Sequence, residues 1–257
     1  MTIVLYGFLA SLLAGVMTGV GGLGIFVVRR LEPRLEDILL SAAGGIMLAA
    51  SFFSLLLPAI EYGTTQFGSR LPAVAFVIFG VAAGALALWA IHRCAPHEHF
   101  IMGREGPGDS RMARIWLFVI AITLHNFPEG MAVGVGFAGG DIANGTVLAT
   151  AIGIQNVPEG LAVAAALVSI GYGRRDAFLV AFATGLVEPV GGVIGGAAVW
   201  LVQPLMPWFL GFAAGAMLFI ISHEIIPETH RRGFETHATF ALMFGFVVMM
   251  FLDATLG

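Results

Sequence analysis

The sequence predicts an all-α polytopic membrane protein: eight transmembrane helices in an inverted-repeat helix bundle, with both termini extracytoplasmic. Three observations predict it. Only 11% of the 257 residues are charged while 58% are hydrophobic, with a mean hydropathy of +0.94. A soluble domain carries roughly 25% charged residues, so no water-exposed surface could be built from this supply. Eight apolar segments are each long enough for the about 20 residues that a bilayer-crossing helix needs. Finally, the arginines segregate to alternate loops.

The eight segments are 3–28, 38–60, 72–91, 115–137, 144–171, 177–201, 206–229 and 237–256. The first lacks the basic leader of a cleaved signal peptide and is too long for a signal core, so it reads as a retained span. Between the segments lie turn or charge signals such as Arg29-Arg30, Gly139-Gly140-Asp141, Gln203-Pro204 and Arg231-Arg232-Gly233. All 12 basic residues are arginine. Arg29, Arg30, Arg34, Arg93, Arg104, Arg111, Arg114, Arg174, Arg175, Arg231 and Arg232 fall in loops 1, 3, 5 and 7, and Arg70 alone falls on the other side. The positive-inside rule then places those four loops in the cytoplasm. A count wrong by one span would have scattered the arginines.

The chain forms one transmembrane domain, 1–257, with a single long connection, a cytoplasmic loop over about 92–114. It holds His92, Cys94, His97, Glu98, His99 and Glu105. It reads as a solvated linker, with a metal-capturing loop as the alternative. Cys94 is the only cysteine, so no intrachain disulfide forms. The 35 glycines suit close helix–helix contact in lipid and are compatible with a homodimer, although no face declares itself. The partners expected are divalent metal ions and the lipid bilayer, with no nucleic acid.

Spans four and five carry a repeat. Leu124-His125-Asn126-Phe127-Pro128-Glu129-Gly130 aligns with Ile154-Gln155-Asn156-Val157-Pro158-Glu159-Gly160, thirty positions later. Consecutive spans run in opposite directions, so the copies face each other near mid-membrane about an approximate two-fold axis, as in inverted-repeat transporters. Residues i and i+4 share a helix face, which stacks His125 on Glu129 and Gln155 on Glu159. Asn126 and Asn156 offer amide oxygens about 100° round the helix. Each proline frees the carbonyl four residues back, which is tolerated at this depth where it is buried or lines a cavity.

Two glutamates and a histidine in hydrocarbon are costly unless paired, hydrated or bound to a cation. No arginine lies within a span to pair with them, leaving protons, water or metal. Imidazole with carboxylate suits zinc and its neighbours; carboxylate with amide oxygen suits harder divalent ions. Glu188, before Pro189, is the sixth span's only carboxylate and reads as a further metal ligand. Met47, Ser54 and Glu61 recur every seven residues and form a candidate entry track along one face of span two, with Met47 as core filler and Glu61 as a solvated rim charge the alternatives. His223 and Glu224, near the inner end of span seven, read either as an exit or regulatory metal site or as interfacial polarity. Asp253 reads as interfacial.

At these residues the sequence resembles the ZIP (Zrt-, Irt-like) family of divalent metal transporters, in particular its bacterial zinc importers. The resemblance covers essentially the whole chain, with His125-Asn126-Phe127-Pro128-Glu129-Gly130 the most specific stretch. It implies a two-metal centre. One metal would be held by His125, Glu129, Gln155 and Glu159, and the second by Asn126, Asn156 and Glu188, with Glu129 and Glu159 bridging. Met47, Ser54 and Glu61 match the family's entrance positions, and His223 with Glu224 match its seventh-span motif. Gln155 stands where many members have histidine, and Asn156 where close relatives can have aspartate. These departures imply weaker zinc binding or broader selectivity toward Cd²⁺, Fe²⁺ or Mn²⁺.

The resulting expectation is a Zn²⁺ importer, in a bacterial plasma (inner) membrane, that is no enzyme and carries zinc as cargo with no cofactor. A metal exporter is the nearest alternative. An intramembrane metalloprotease would need His-Glu-x-x-His on one helix, and His223-Glu224-Ile225-Ile226-Pro227 lacks the second histidine.

Overall fold

The computed structural model describes residues 2–28, 32–94, 111–138 and 140–256. They form eight long helical rods: α1 (Thr2–Leu23), α2 (Pro33–Phe67), α3 (Arg70–Cys94), α4 (Arg111–Ala138), α5 (Ile142–Ser169), α6 (Arg174–Leu201), α7 (Met206–Thr229) and α8 (Glu235–Leu256). Seven of them are long and apolar enough to cross a membrane. The other, α4, has 28 residues, about 42 Å at 1.5 Å per residue. Many large apolar side chains face outward, among them Leu13, Phe79, Leu86, Phe240, Phe244 and Phe251, while the interior mixes alanines and polar groups with Leu55, Leu148, Ile152 and Met217. That distribution suits a chain whose solvent is lipid. The long loop, including His97, Glu98, His99 and Glu105, lies outside the described residues, as do the side chains of His92 and Cys94.

The helices pair in a pattern that exchanges α1 with α6, α2 with α7, α3 with α8 and α4 with α5. Thus α1 packs on α5 as α6 packs on α4, and α2 packs on α8 as α7 packs on α3. Partners five spans apart run in opposite directions, so the repeat is inverted. The sequence carries it at an offset of 170: Gly15, Thr18, Val20, Gly21 and Gly22 match Gly185, Glu188, Val190, Gly191 and Gly192, and Gly45, Met47 and Leu48 match Gly215, Met217 and Leu218. Contacts follow suit. A side chain at Gly160 would collide with the Thr18 backbone, and one at Gly130 with the Glu188 backbone. Small residues let these helices touch backbone to backbone.

Four rods carry an internal proline or a change of winding where polar residues gather. Pro128 and Pro158 lie inside α4 and α5. In α2, Ser51–Leu56 winds as a π-helix just before Pro58, and in α7, Ile221–Ile225 does the same before Pro227. Such π turns concentrate at functional positions. In addition, α6 breaks at Leu186–Val187 into Arg174–Gly185 and Glu188–Leu201, so the expected continuous sixth span is two half-helices. Pro189 explains the break, because it lacks the N–H that would bond the Gly185 carbonyl.

The second span is longer than its hydropathy predicts. It continues to Phe67, and Gly68, at φ +67°, closes a two-residue turn before α3. The connection expected between segments 38–60 and 72–91 is therefore mostly helix, with Thr64 and Thr65 bonding back to the Ile60 and Glu61 carbonyls. At the opposite end of α2, Arg232 of the α7–α8 turn donates to Glu36 at 2.6 Å and to Glu228 at 2.8 Å, and lies 3.5 Å from buried Asp37. Its guanidinium is held above its usual pKa by these carboxylates against the opposing effect of burial.

Candidate metal centre

The repeat of α4 and α5 delivers its polar residues to one buried cluster. Asn126, Glu129, Gln155, Asn156 and Glu188 are fully buried and Glu159 nearly so. The Gln155 amide Nε2 donates to Glu129 Oε1, joining the two helices across the axis. Asn156 Nδ2 donates to Glu188 Oε1 at 2.7 Å and to the Ala14 carbonyl at 2.9 Å, tying α5 to α6 and α1. Glu188 occupies the first turn of the second half of α6. The His125 side chain lies outside the described residues, although its backbone continues α4.

These bonds leave oxygens over. Asn126 Oδ1, Gln155 Oε1, Asn156 Oδ1 and Glu188 Oε2 are buried without a hydrogen-bond partner. A buried polar atom without a partner costs about 1–3 kcal/mol. Several in one cluster, between three carboxylates, form a donor set fitted to a partly dehydrated divalent cation. Among the described residues no three His, Cys, Asp or Glu side chains converge on a ready-made cage. The cluster is amide-rich, with Gln155 and Asn156 interleaved between the acids.

The entry track is brought together only in part. Met47 and Ser54 are fully buried, whereas Glu61 is exposed. The π turn between them holds more residues per turn than an α-helix, which rotates Glu61 off the strict seven-residue line. Ser54 joins three helices. Pro58 cannot donate to its carbonyl, and Asn144 Nδ2 of α5 does so instead at 3.1 Å. The Ser54 hydroxyl donates to Asp253 Oδ1 of α8 at 2.7 Å. Asp253, half-buried near the C-terminal end of α8, thus ties that end to α2. Beside this junction is a cavity of about 460 Å³ lined by Ile142, Ala143, Thr146, Val147, Thr150 and Leu252.

His223 and Glu224 sit half-buried in the π turn of α7, with the His223 ring 4.9 Å from that of Phe219. This is the two-fold counterpart of the Ser54 turn. Sequence reasoning missed Asn144 and the Ser54–Asp253 contact, and it missed Thr18 and Met217 as the two-fold counterparts of Glu188 and Met47. The offset of 170 was the signal available for the last two.

Comparison with known proteins places these features in a lineage. A family described as "ZIP Zinc transporter" matches residues 92–253. The "Zinc transporter GufA" of Myxococcus xanthus is 46% identical over 98% of this chain and 99% of its own length. The "Zinc transporter ZIPB" of Bordetella bronchiseptica is 47% identical over 98% of this chain and 82% of its own. The human "Zinc transporter ZIP11" is 34% identical over 94% of both. An integral membrane protein with this helical count, this doubled motif and these relatives belongs to the ZIP family of zinc transporters.

Proposed function

We propose that this chain imports Zn²⁺ into the cytoplasm through a two-metal centre built by α4, α5 and α6, with both termini outside and the host membrane a bacterial inner membrane. The observation that carries this reading is the buried cluster of Asn126, Glu129, Gln155, Asn156, Glu159 and Glu188, in which Asn126, Gln155, Asn156 and Glu188 each keep an oxygen without a hydrogen-bond partner. His125, Glu129, Gln155 and Glu159 hold the first metal; Asn126, Asn156 and Glu188 hold the second, and Glu129 and Glu159 bridge. The amides in place of charged or imidazole donors extend the cargo to Cd²⁺, Fe²⁺ and Mn²⁺.

Metal enters past Glu61, Asp253 and Ser54, loses part of its water at the centre and leaves past His223 and Glu224. The π turns of α2 and α7 and the break in α6 supply backbone that can re-form as the site moves. The helices holding the cluster, α1, α4, α5 and α6, pack chiefly on one another, as do α2, α3, α7 and α8. Movement of the first group as a unit against the second carries the metal across.

Direction is tested by flux into proteoliposomes with Zn²⁺ on one side only and protein orientation established by protease access. Uptake from the side bearing the termini is expected; transport solely from the opposite side would make the chain an exporter. A Glu129→Ala variant that retains full uptake would exclude the cluster as the pathway.

A further inference from the structure

The inverted repeat has one unmatched position inside the cluster. Its axis exchanges α4 with α5 and α1 with α6, and therefore Asn126 with Asn156 and Thr18 with Glu188. The local packing obeys that exchange. Gly160 rests on the Thr18 carbonyl and Gly130 on the Glu188 carbonyl. A methyl group added at Gly185 would lie 2.8 Å from the Thr18 hydroxyl oxygen, and one added at Gly15 would lie 3.5 Å from Glu188 Cβ. Thr18 thus sits where α1 meets α5 and α6, as Glu188 sits where α6 meets α4 and α1.

The hydrogen bonding is not symmetric. Asn156 donates to Glu188. On the exchanged side, both amide atoms of Asn126 and the hydroxyl of Thr18 are buried with no hydrogen-bond partner. This is unusual for a helical hydroxyl. Ser11, Ser51, Thr184 and Thr229, all buried, donate to carbonyls three or four residues back. Ser54 donates to Asp253 instead, and among the described buried hydroxyls only Thr18 and Ser41 have no partner at all. In a dry interior such a hydroxyl has both its O–H and its oxygen lone pairs unmet, a deficit that a cation or its bound water would satisfy.

We propose that Thr18 is a further ligand-side residue of this centre: its hydroxyl oxygen, with the Asn126 amide oxygen, contacts the second divalent metal from the face opposite Glu188. The inference rests on the reading above that the cluster holds metal. A neutral hydroxyl opposite a carboxylate keeps the total charge of the site low, so the metal is held firmly enough to be dehydrated and weakly enough to leave.

The test is calorimetric titration of purified full-length protein with Zn²⁺ alone, comparing wild type, Thr18→Val, Thr18→Ala and Thr18→Ser, with the apo-state Tm of each. Val keeps the shape and removes the oxygen; Ser keeps the oxygen. Expected are a Kd for the second metal raised about five- to tenfold in Thr18→Val and Thr18→Ala, little change in Thr18→Ser, and a first-metal affinity close to wild type throughout. Unchanged binding in Thr18→Val would overturn the proposal. So would losses that track a fall in apo Tm equally in all three variants, which would make Thr18 a packing residue. A wild type that binds no Zn²⁺ would instead refute the metal centre itself.

Discussion

Asn156 Nδ2 donates to Glu188 Oε1 at 2.7 Å, linking α5, two residues before its internal Pro158, to the first turn of the second half of α6. The bond occupies one carboxylate oxygen and leaves Glu188 Oε2 and Asn156 Oδ1 without partners. Replacing Glu188 by Gln keeps an acceptor for Asn156 but removes the charge. In Glu188→Gln the second metal is expected to bind more weakly by more than about tenfold, while the first is retained. Equilibrium dialysis with ⁶⁵Zn at saturating and sub-saturating metal reads both; equal loss of the two would show that they form a single site.

The Ser54–Asp253 hydrogen bond ties α8 to the proposed entry path. A carboxylate beside a narrow low-dielectric passage concentrates cations there. Asp253→Ala should raise the KM for Zn²⁺ uptake by about three- to tenfold with kcat near wild type. Ser54→Ala, which leaves the charge, should do less. A fall in kcat at unchanged KM would place Asp253 at a later step.

Carboxylate and imidazole ligands bind metal only when deprotonated, so protons compete with the cargo. The sign follows directly: zinc affinity rises with pH and falls in acid. Kd measured between about pH 7.5 and about pH 5.5 is expected to weaken steadily, with proton release on binding at the higher pH. A Kd independent of pH would mean that the carboxylates are not ligands.

Gly45 lies where α2 meets the Leu242 carbonyl of α8, remote from the metal cluster in the chain. A Cβ there has to displace backbone, at a cost of about 1–3 kcal/mol or more. Gly196→Ala would meet its nearest neighbours at 3.5 Å, an ordinary contact. Thermal unfolding in detergent should show Gly45→Ala markedly destabilised and Gly196→Ala close to wild type. Equal melting of the two would contradict the backbone-to-backbone packing of this pair.

Much of the architecture was legible because membrane helices depend on local properties. Apolar length, loop arginines and a doubled Pro-Glu-Gly motif all lie within single spans, and they located Asn126, Glu129, Gln155, Asn156 and Glu159. Glu188 stood out as a lone carboxylate beside a proline. Other features required partners distant in the chain. Asp253 is 199 residues from Ser54, and no periodicity within α8 marks that contact. The π turn at Ser51–Leu56 depends on Asn144 satisfying the carbonyl that Pro58 leaves free. The repeat relating Thr18 to Glu188 is visible in retrospect, but it is diluted across 170 positions and alters the very residue that matters.

The most direct test of the central claim, that metal crosses through the buried cluster, is Zn²⁺ uptake into dye-loaded proteoliposomes by wild type and Glu159→Ala. Influx with wild type and none with a folded Glu159→Ala protein is the predicted result. Equal influx through both would show that zinc crosses elsewhere, and the two-metal centre would have to be abandoned as the transport site.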